Sequence, residues 1–166
     1  SRTGRNEQGL YCRKRGIVKA VIQRVKRAKV TVAGDVVGEI EKGLLVLLGV
    51  AAGDTAADAD KLAEKIVNMR LMDDENGRMD LSVKDVSGGL LVVSQFTLLA
   101  DVRKGRRPSY INAADPKKAN ELYEYFIKKA KGLLEKVETG QFRAMMDVEL
   151  VNDGPVTITI DSDELR

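Results

Sequence analysis

Two uninterrupted apolar runs constrain this fold more than any other feature of the sequence. Residues 44–51 read LLVLLGVA, and residues 90–99 read LLVVSQFTLL. Each run is shorter than the roughly 18 apolar residues that a membrane-spanning helix needs. Each has the length of a strand that is buried on both faces. We therefore predict that both runs are central strands of one sheet.

Alternating apolar and polar residues predict further strands around these two. The predicted additional strands are 17–25, 28–33, 36–40, 141–151 and 156–161. Gly34-Asp35 lies between β-branched residues and predicts a hairpin. Residues 152–155 (NDGP) predict a tight connection between the last two strands.

Two segments have the spacing of amphipathic helices. The first covers 56–71 and follows Thr55, a residue type that caps helices well. The second starts at Asp115-Pro116, continues through 138 and stops before Gly140. The order of elements predicts the α/β class, with a single domain of about seven strands in a mostly antiparallel, barrel-like sheet and two main helices.

The residue types that are rare in the chain narrow its possible chemistry. Among 166 residues there is no histidine and one cysteine. The lack of histidine excludes the Ser-His-Asp triad, the Cys-His pair and histidine-ligated zinc. A single cysteine excludes a disulfide framework and thiolate zinc sites. An enzyme of this composition must use carboxylates, lysine, hydroxyls, backbone amides or a group on its substrate.

The charge is unevenly distributed along the chain. Residues 1–16 hold five basic residues against one acidic residue and show no periodicity, so we interpret them as an N-terminal extension of a domain at 17–166. They have no apolar core of the kind found in secretory signals, and we expect a cytoplasmic protein. Elsewhere, basic residues cluster at 19–29 and 103–107. Such clusters suit a phosphate-bearing partner, or they form a solvated face.

Three features are candidates for a site. The segment Ser94–Thr97 places polar side chains in the second apolar run, where each costs about 1–3 kcal/mol unless it is hydrogen-bonded. These groups either satisfy one another and the backbone, or they form a site. Gly154-Pro155 is either an ordinary turn or a cis peptide bond that aims neighbouring carbonyls in one direction. Arg24 is the third candidate and is otherwise a solvated charge.

Paired carboxylates are the remaining option for acid–base chemistry. Four of them lie close together in the sequence: Asp73, Asp74, Glu75 and Asp80. Their oxygens suit a divalent ion, but their spacing matches no known ion-binding loop. Solvation around a turn is the favoured interpretation, and we expect no metal. The sequence has no phosphate loop, dinucleotide fingerprint or nucleophile elbow, and we expect no cofactor.

Four motifs resemble the D-aminoacyl-tRNA deacylase (D-Tyr-tRNA(Tyr) deacylase) family. They are AVIQRV at 20–25, SQFTL at 94–98, GRRPSY at 105–110 and NDGPVT at 152–157. The resemblance spans about residues 18–161, with the motifs in the expected order. SQFT and GPVT at this separation are the most specific pair, whereas each motif by itself is weak.

The resemblance implies a function and a partner. It implies hydrolysis of the ester that joins a D-amino acid to the 3′-terminal adenosine of tRNA, which is chiral proofreading in translation quality control. It also implies a homodimer in which a cis Gly154-Pro155 bond inserts into the site of the other subunit. The expected partners are aminoacyl-tRNA and a second copy of the chain, with no membrane and no DNA.

The resemblance also implies roles for individual residues. The expected catalytic residues are Gln95, Phe96 and Thr97, with main-chain amides around the last two holding the aminoacyl end. Arg24 is expected to brace the opposing Gly-Pro segment. The expected substrate-binding residues are Ser94, Arg24, Gly154 and Pro155.

The residue chemistry agrees with such an activity. Backbone amides can stabilise an oxyanion, and the neighbouring ribose hydroxyl is already held beside the ester carbonyl. Thr97 as a covalent nucleophile is the rival mechanism, although no general base for it is identified. If the carbonyls of Gly154 and Pro155 bind the substrate ammonium, an L side chain meets a wall. Glycine has no side chain, so we expect glycyl-tRNA to be cleaved.

Two other functions stay open at this point. A non-catalytic tRNA-binding module would use the basic clusters and leave the ester intact. A hydroxyl-dependent esterase or amidase would act on small free esters and would depend on Thr97.

Overall fold

The computed structural model describes residues 18–165, so the predicted extension at 1–16 lies outside the described residues. The strands are β1 (Lys19–Val32), β2 (Asp35–Ile40), β3 (Gly43–Gly49), β4 (Met72–Asp73), β5 (Met79–Leu81), β6 (Gly89–Ser94), β7 (Val137–Thr139) and β8 (Asp147–Asp161). The helices are α1 (Ala56–Asn68) and α2 (Pro116–Leu133), with short 3-10 helices at Phe96–Leu99 and Ser162–Leu165. None of these helices within residues 18–165 is long and apolar enough to cross a membrane.

The long strand β1 organises the sheet. Its first half pairs antiparallel with β3, its second half pairs antiparallel with β2, and β8 pairs antiparallel along the opposite edge. From β3 the sheet continues to β6 and then to β7, and both of these pairs are parallel. Strands β4 and β5 form a separate two-stranded sheet.

The main sheet is mixed, which corrects the prediction of a mostly antiparallel one. Helix α1 lies on the connection from β3 to β6, and helix α2 lies on the connection from β6 to β7. A connection that carries a helix crosses over the sheet and returns the chain in its original direction, which gives parallel neighbours. The single α/β domain with two main helices is confirmed.

The sheet curls into a nearly closed barrel. The two ends of the strand order, β2 and β7, approach each other. At their contact a Cβ atom on Gly38 would overlap the carbonyl oxygen of Thr139. Glycine is therefore required where these two backbones meet.

Both predicted buried strands are confirmed, because β3 and β6 lie between two hydrophobic clusters. Leu44 and Leu90 belong to the cluster that includes Phe126 of α2. Leu45 and Leu91 belong to the cluster on the other face. Each fully buried side chain of this kind contributes roughly 1.5–3 kcal/mol, so the two strands are the most strongly anchored part of the sheet.

The helix starts are confirmed, and the predicted helix ends are wrong. Asp115 caps α2, since its carboxylate accepts a hydrogen bond of 3.1 Å from the Lys118 amide. Helix α1 stops at Asn68, three residues before its predicted end. Helix α2 stops at Leu133, because residues 137–139 leave it to form β7 beside β6.

Two predicted pairs of strands are in fact single strands. Segments 17–25 and 28–33 form the continuous β1, since both halves pair with β8. Strand β8 runs from 147 to 161 and includes residues 152–155, so it corrects both the predicted start at 141 and the predicted connection. The N-terminal hairpin at Gly34 is confirmed.

Candidate active site

The second apolar run leaves the sheet earlier than predicted. The Gln95 amide donates to the Leu48 carbonyl at 2.8 Å, and the Leu98 amide donates to the Gln95 carbonyl at 3.2 Å, which starts a 3-10 turn. The turn packs on the end of β3, where a Cβ on Gly49 would lie 2.5 Å from Leu99 Cδ2. The predicted strand 90–99 therefore ends at Ser94, and the SQFT motif forms a strand end and a turn.

This turn explains how the polar side chains of the motif are accommodated. Ser94, Gln95 and Thr97 are half-buried, and the Gln95 side-chain amide donates to the Thr97 hydroxyl. The Phe96 ring is 55% exposed and contacts Tyr110 edge-on, with 5.0 Å between ring centroids. The amides of Phe96 and Thr97 precede the first hydrogen bond within the turn, so they are available to an external acceptor.

A cavity of about 510 Å³ opens beside the motif. Ser94–Phe96 line it, whereas Thr97 does not. The segment Phe142–Met146 also lines the cavity, and Pro116 and Ala119 contribute from the start of α2. The volume is in the range of pockets that bind small ligands.

The cavity has few groups that can move a proton. Among the described residues that line it, Arg143 is the only one with a titratable side chain. A guanidinium group only donates hydrogen bonds and has no acceptor atom, so no lining side chain is suited to act as a general base. Chemistry in this cavity must rely on backbone amides, on hydroxyl or amide side chains, or on the bound substrate.

Sequence reasoning missed the segment Phe142–Met146, because it assigned 141–151 to a strand. The segment is a turn in which the Ala144 amide donates to the Gln141 carbonyl at 3.2 Å. Met145 is 92% exposed. Gly140, predicted to end a helix, donates its amide to the Val92 carbonyl instead. The available sequence indication was the loss of alternation in FRAMM at 142–146.

Gly154-Pro155 forms a bulge inside β8 instead of a turn between strands. Gln23 pairs with Thr157, but Val25 pairs with Asn152, so residues 153–156 of β8 face the single residue Arg24. The Gly154-Pro155 bond is cis, as the resemblance implied. Both residues are exposed, and neither lines the cavity of its own chain.

Arg24 is buried against this bulge, so it is not a solvated charge. Its side chain donates from Nε to the Asp153 carbonyl at 3.0 Å and from Nη1 to the Leu71 carbonyl at 2.9 Å. Nη1 also donates to Asp73 Oδ1 at 3.0 Å. A Cβ on Gly154 would lie 3.2 Å from Nη2. The guanidinium group thus fills the space behind the Gly-Pro segment of its own chain.

The structure brings the predicted site residues together in two groups. Ser94, Gln95 and Phe96 lie at the cavity. Arg24 lies at the Gly154-Pro155 segment. Within a single chain these two groups do not share the cavity.

Three of the four carboxylates near the NG turn, Asp73, Asp74 and Asp80, have structural partners. Asp73 bonds to Arg24, Asp74 accepts hydrogen bonds from two amides of its own turn, and Asp80 pairs with Arg70 at 3.0 Å. Within residues 18–165 no three His, Cys, Asp or Glu side chains lie close enough to hold a metal ion.

One buried carboxyl lies behind the rim of the cavity. Asp54 accepts a hydrogen bond from the Ala51 amide at 2.5 Å, and its Oδ1 has no partner among the described residues. Burial raises the pKa of Asp54 to about 6, from an ordinary value of 3.8. The backbone at Val50 and Ala51, which holds this carboxyl, is also bonded to Ala114 at the cavity, since the Ala114 amide donates to the Val50 carbonyl at 3.0 Å.

Comparisons with known sequences agree on one family. Residues 21–161 match the family model described as D-Tyr-tRNA(Tyr) deacylase. A D-aminoacyl-tRNA deacylase from Caldicellulosiruptor saccharolyticus is 59% identical over 145 residues, which is 87% of this chain and 97% of that protein. A D-aminoacyl-tRNA deacylase from Thermosipho africanus is 60% identical over 145 residues, with the same two coverages.

Two solved structures are also similar. One is described as a c-Myc DNA unwinding element binding protein. It has a TM-score of 0.81 and 40% identity, and the match covers 86% of this chain and 97% of that chain. The other is described as a probable eukaryotic D-amino acid tRNA deacylase. It has a TM-score of 0.79 and 13% identity, covers 87% and 99% of the two chains, and supports the fold alone.

Proposed function

We propose a mechanism and an assembly from the premise that this chain belongs to the D-Tyr-tRNA(Tyr) deacylase family and is an enzyme that hydrolyses D-aminoacyl-tRNA. The aminoacyl end of the tRNA enters the cavity beside Ser94–Phe96. A second copy of the chain contributes its Gly154-Pro155 segment to that cavity. The protein supplies geometry, and the RNA supplies the reactive hydroxyl.

In the hydrolysis, the oxygen of water replaces the ribose 3′-oxygen at the ester carbonyl carbon. Water attacks the carbonyl carbon, and the bond from that carbon to the ribose 3′-oxygen breaks. The proton lost by the water ends on the 3′-oxygen, relayed by the adjacent 2′-hydroxyl, so the products are the free D-amino acid and tRNA with an intact ribose. The amides of Phe96 and Thr97 stabilise the oxyanion that forms on the way.

The composition of the cavity carries this mechanism. Its lining residues within 18–165 offer no carboxylate, lysine or histidine. A covalent mechanism at Thr97 requires a base that removes the hydroxyl proton, and none of the described lining residues supplies one. Its hydroxyl accepts a hydrogen bond from Gln95, which suits a structural role in shaping the turn.

The position of the Gly-Pro segment supports the contribution of a second copy. The segment is exposed and is held from behind by the buried Arg24. It lies outside the cavity of its own chain. A symmetric dimer in which each segment enters the other cavity would complete two identical sites.

Chirality then follows from the side on which the substrate ammonium is bound. If the carbonyls of Gly154 and Pro155 accept hydrogen bonds from the ammonium, the D side chain points to open space and the L side chain meets the cavity wall. This is rejection by a clash. Glycine has no side chain to reject, so glycyl-tRNA is a second substrate. The protein acts in the cytoplasm, where translation supplies these substrates.

The test uses four substrates with the same protein. We expect D-tyrosyl-tRNA and glycyl-tRNA to be deacylated and L-tyrosyl-tRNA to be spared. Replacing the terminal 2′-hydroxyl of the D-substrate with hydrogen should slow deacylation by at least about a hundredfold, because the hydroxyl is already positioned beside the carbonyl. Unchanged cleavage of the 2′-deoxy substrate would overturn the substrate-assisted mechanism. Equal rates on D- and L-tyrosyl-tRNA would overturn the proposal that the cavity wall rejects the L side chain.

A further inference from the structure

The loop at residues 101–110, here called the basic loop, is anchored at both ends and contacts one residue of the cavity lining. The Asp101 amide donates to the Ser109 carbonyl at 2.7 Å, and the Ser109 amide donates back to the Asp101 carbonyl at 2.9 Å. Tyr110 then contacts Phe96, which lines the cavity. The loop therefore keeps a defined position relative to the site.

The basic loop presents several positive charges to solvent. Every residue from 102 to 110 is exposed. Arg103 is bound to its neighbour Asp101 through two guanidinium bonds of 2.9 and 2.7 Å. Arg103 holds the pKa of Asp101 at about 2, so this carboxylate stays ionised and neutralises that arginine. Lys104 acts on the Asp101 carboxylate only at longer range, and Arg106 and Arg107 form no salt bridge within the described residues.

The other basic cluster, on β1, is partly consumed by the fold. Arg24 is buried behind the Gly-Pro segment. Lys29 pairs with Glu149 at 3.3 Å. Of the two clusters found in the sequence, the basic loop is thus the one that carries unpaired charges on a segment in contact with the cavity lining, through Tyr110 and Phe96.

We propose that the basic loop binds the phosphate backbone of the tRNA acceptor end while the 3′ end occupies the cavity. This inference rests on the function proposed above. A phosphate backbone is the occupant that complements unpaired arginine and lysine side chains on an exposed loop. Guanidinium groups also bind phosphate oxygens through two hydrogen bonds at once. The loop fixes the direction from which the RNA enters the site.

The test is the double variant Arg106→Gln/Arg107→Gln. With D-tyrosyl-tRNA at low salt we expect kcat/KM to fall about tenfold, mainly through KM, because two phosphate contacts are lost. The slope of log kcat/KM against log salt should become shallower by about 1–2 for the same reason. With D-tyrosyl-adenosine, which has no phosphate, the variant should match the wild type.

A matched control removes two charges elsewhere. Lys128 and Lys131 are exposed on α2, and Lys131 lies roughly 18 Å along the helix axis from Ala119 at the cavity. Lys128→Gln/Lys131→Gln should leave both substrates and the salt slope unchanged.

Each outcome of this experiment is decisive for the loop. An unchanged rate and salt slope on tRNA would overturn the proposal. An equal loss on D-tyrosyl-adenosine would also overturn it, since the loop would then act on the cavity itself. If the wild type cleaves neither substrate, the proposed function fails first. If the wild type cleaves only the tRNA, the salt slope is the deciding measurement: a shallower slope in the double variant supports the proposal, and an unchanged slope overturns it.

Discussion

The cavity wall at Ser94–Phe96 and the Gly154-Pro155 bulge are held in place by different means. The wall ends strand β6, which is buried from Gly89 to Val93 and has parallel partners on both sides. The bulge is exposed on β8, a strand that pairs only with β1 in the described part of the chain. Its ladder to β1 is interrupted, and Arg24 supplies the missing contacts.

The position of the wall is thus set by burial of a whole strand, whereas the position of the bulge is set largely by one side chain, Arg24. Many apolar contacts determine where β6 ends, so no single polar substitution displaces the wall far. The bulge depends on the guanidinium fork of Arg24 and on a glycine in a conformation that L side chains rarely adopt. We therefore expect the bulge to be more sensitive to small substitutions than the wall.

Gly154→Ala should give the largest effect on activity. Gly154 has φ of +125°, a conformation that L side chains rarely adopt, so an alanine strains the backbone of the segment and favours a different conformation there. A displacement of about 1 Å at a site costs on the order of a hundredfold in rate. We expect D-tyrosyl-tRNA deacylation to fall by that factor in single-turnover assays.

The control for this variant is Gly34→Ala. Gly34 has φ of +87° and open space where its Cβ would lie. This change should lower the free energy of unfolding by about 1 kcal/mol without altering deacylation. An equal loss of activity in both variants would contradict a specific role for the bulge.

Arg24→Lys should have the next largest effect. Lysine keeps the charge but cannot reproduce the fork that contacts Asp153, Leu71 and Asp73 together. We expect about a tenfold loss of kcat and a smaller ratio of D to L cleavage, because the bulge loses its backing. Loss of a charged buried hydrogen bond should also lower the unfolding free energy by about 1.5–3 kcal/mol.

The matched control for Arg24 is Arg70→Lys. Arg70 pairs with Asp80 at 3.0 Å and is largely exposed. Such surface pairs contribute less than about 1 kcal/mol. Both activity and stability should stay near the wild type, and a change of D to L selectivity in Arg70→Lys would count against the assignment of selectivity to Arg24.

Thr97→Ala should have a small effect on activity, and it tests the wall. The change removes the hydroxyl that accepts from Gln95, but the turn keeps its backbone bonds and its packing on β3. We expect kcat/KM to fall less than about fivefold, because the amides that we propose to hold the oxyanion remain in place. A loss of a thousandfold or more would instead support Thr97 as the nucleophile.

The smallest effect is the pH dependence that Asp54, near the cavity, gives to the free energy of unfolding. The folded pKa of Asp54 is raised to about 6, above its ordinary 3.8, so the folded state keeps this proton to higher pH than the unfolded state. The contribution of Asp54 to stability is therefore present below pH 4 and is lost as pH rises to about 6. In urea titrations at several pH values, the unfolding free energy of the wild type minus that of Asp54→Asn should decline by on the order of 1 kcal/mol across this window. A difference that rises with pH would contradict the raised pKa of the buried Asp54.

Local features of the sequence predicted the elements whose causes are local. The two apolar runs, the cap at Asp115 and the hairpin at Gly34 follow from neighbouring residues, and all three are confirmed. The ends of β6 and α2 were missed, because they depend on pairing with strands distant in the sequence. Continuity of β8 through 152–155 also depends on a distant partner, β1.

The candidate site follows the same division. The motifs placed Ser94–Thr97, Arg24 and Gly154-Pro155 among the functional residues. They did not predict the cavity wall at 142–146 or the bond from Arg24 to Asp73. Both arise from segments far apart in the chain, and residue patterns by themselves carry no information about such contacts.

Mixed dimers test the central claim most directly. One subunit carries Gly154→Ala, and the other carries Ala119→Phe, which fills the cavity from α2. If each cavity uses the segment of the other subunit, the mixed dimer holds one intact site, and deacylation recovers to about half of the wild-type rate. If each chain uses its own segment, or if no dimer forms, the mixture stays as inactive as the two parent variants, and the account is wrong.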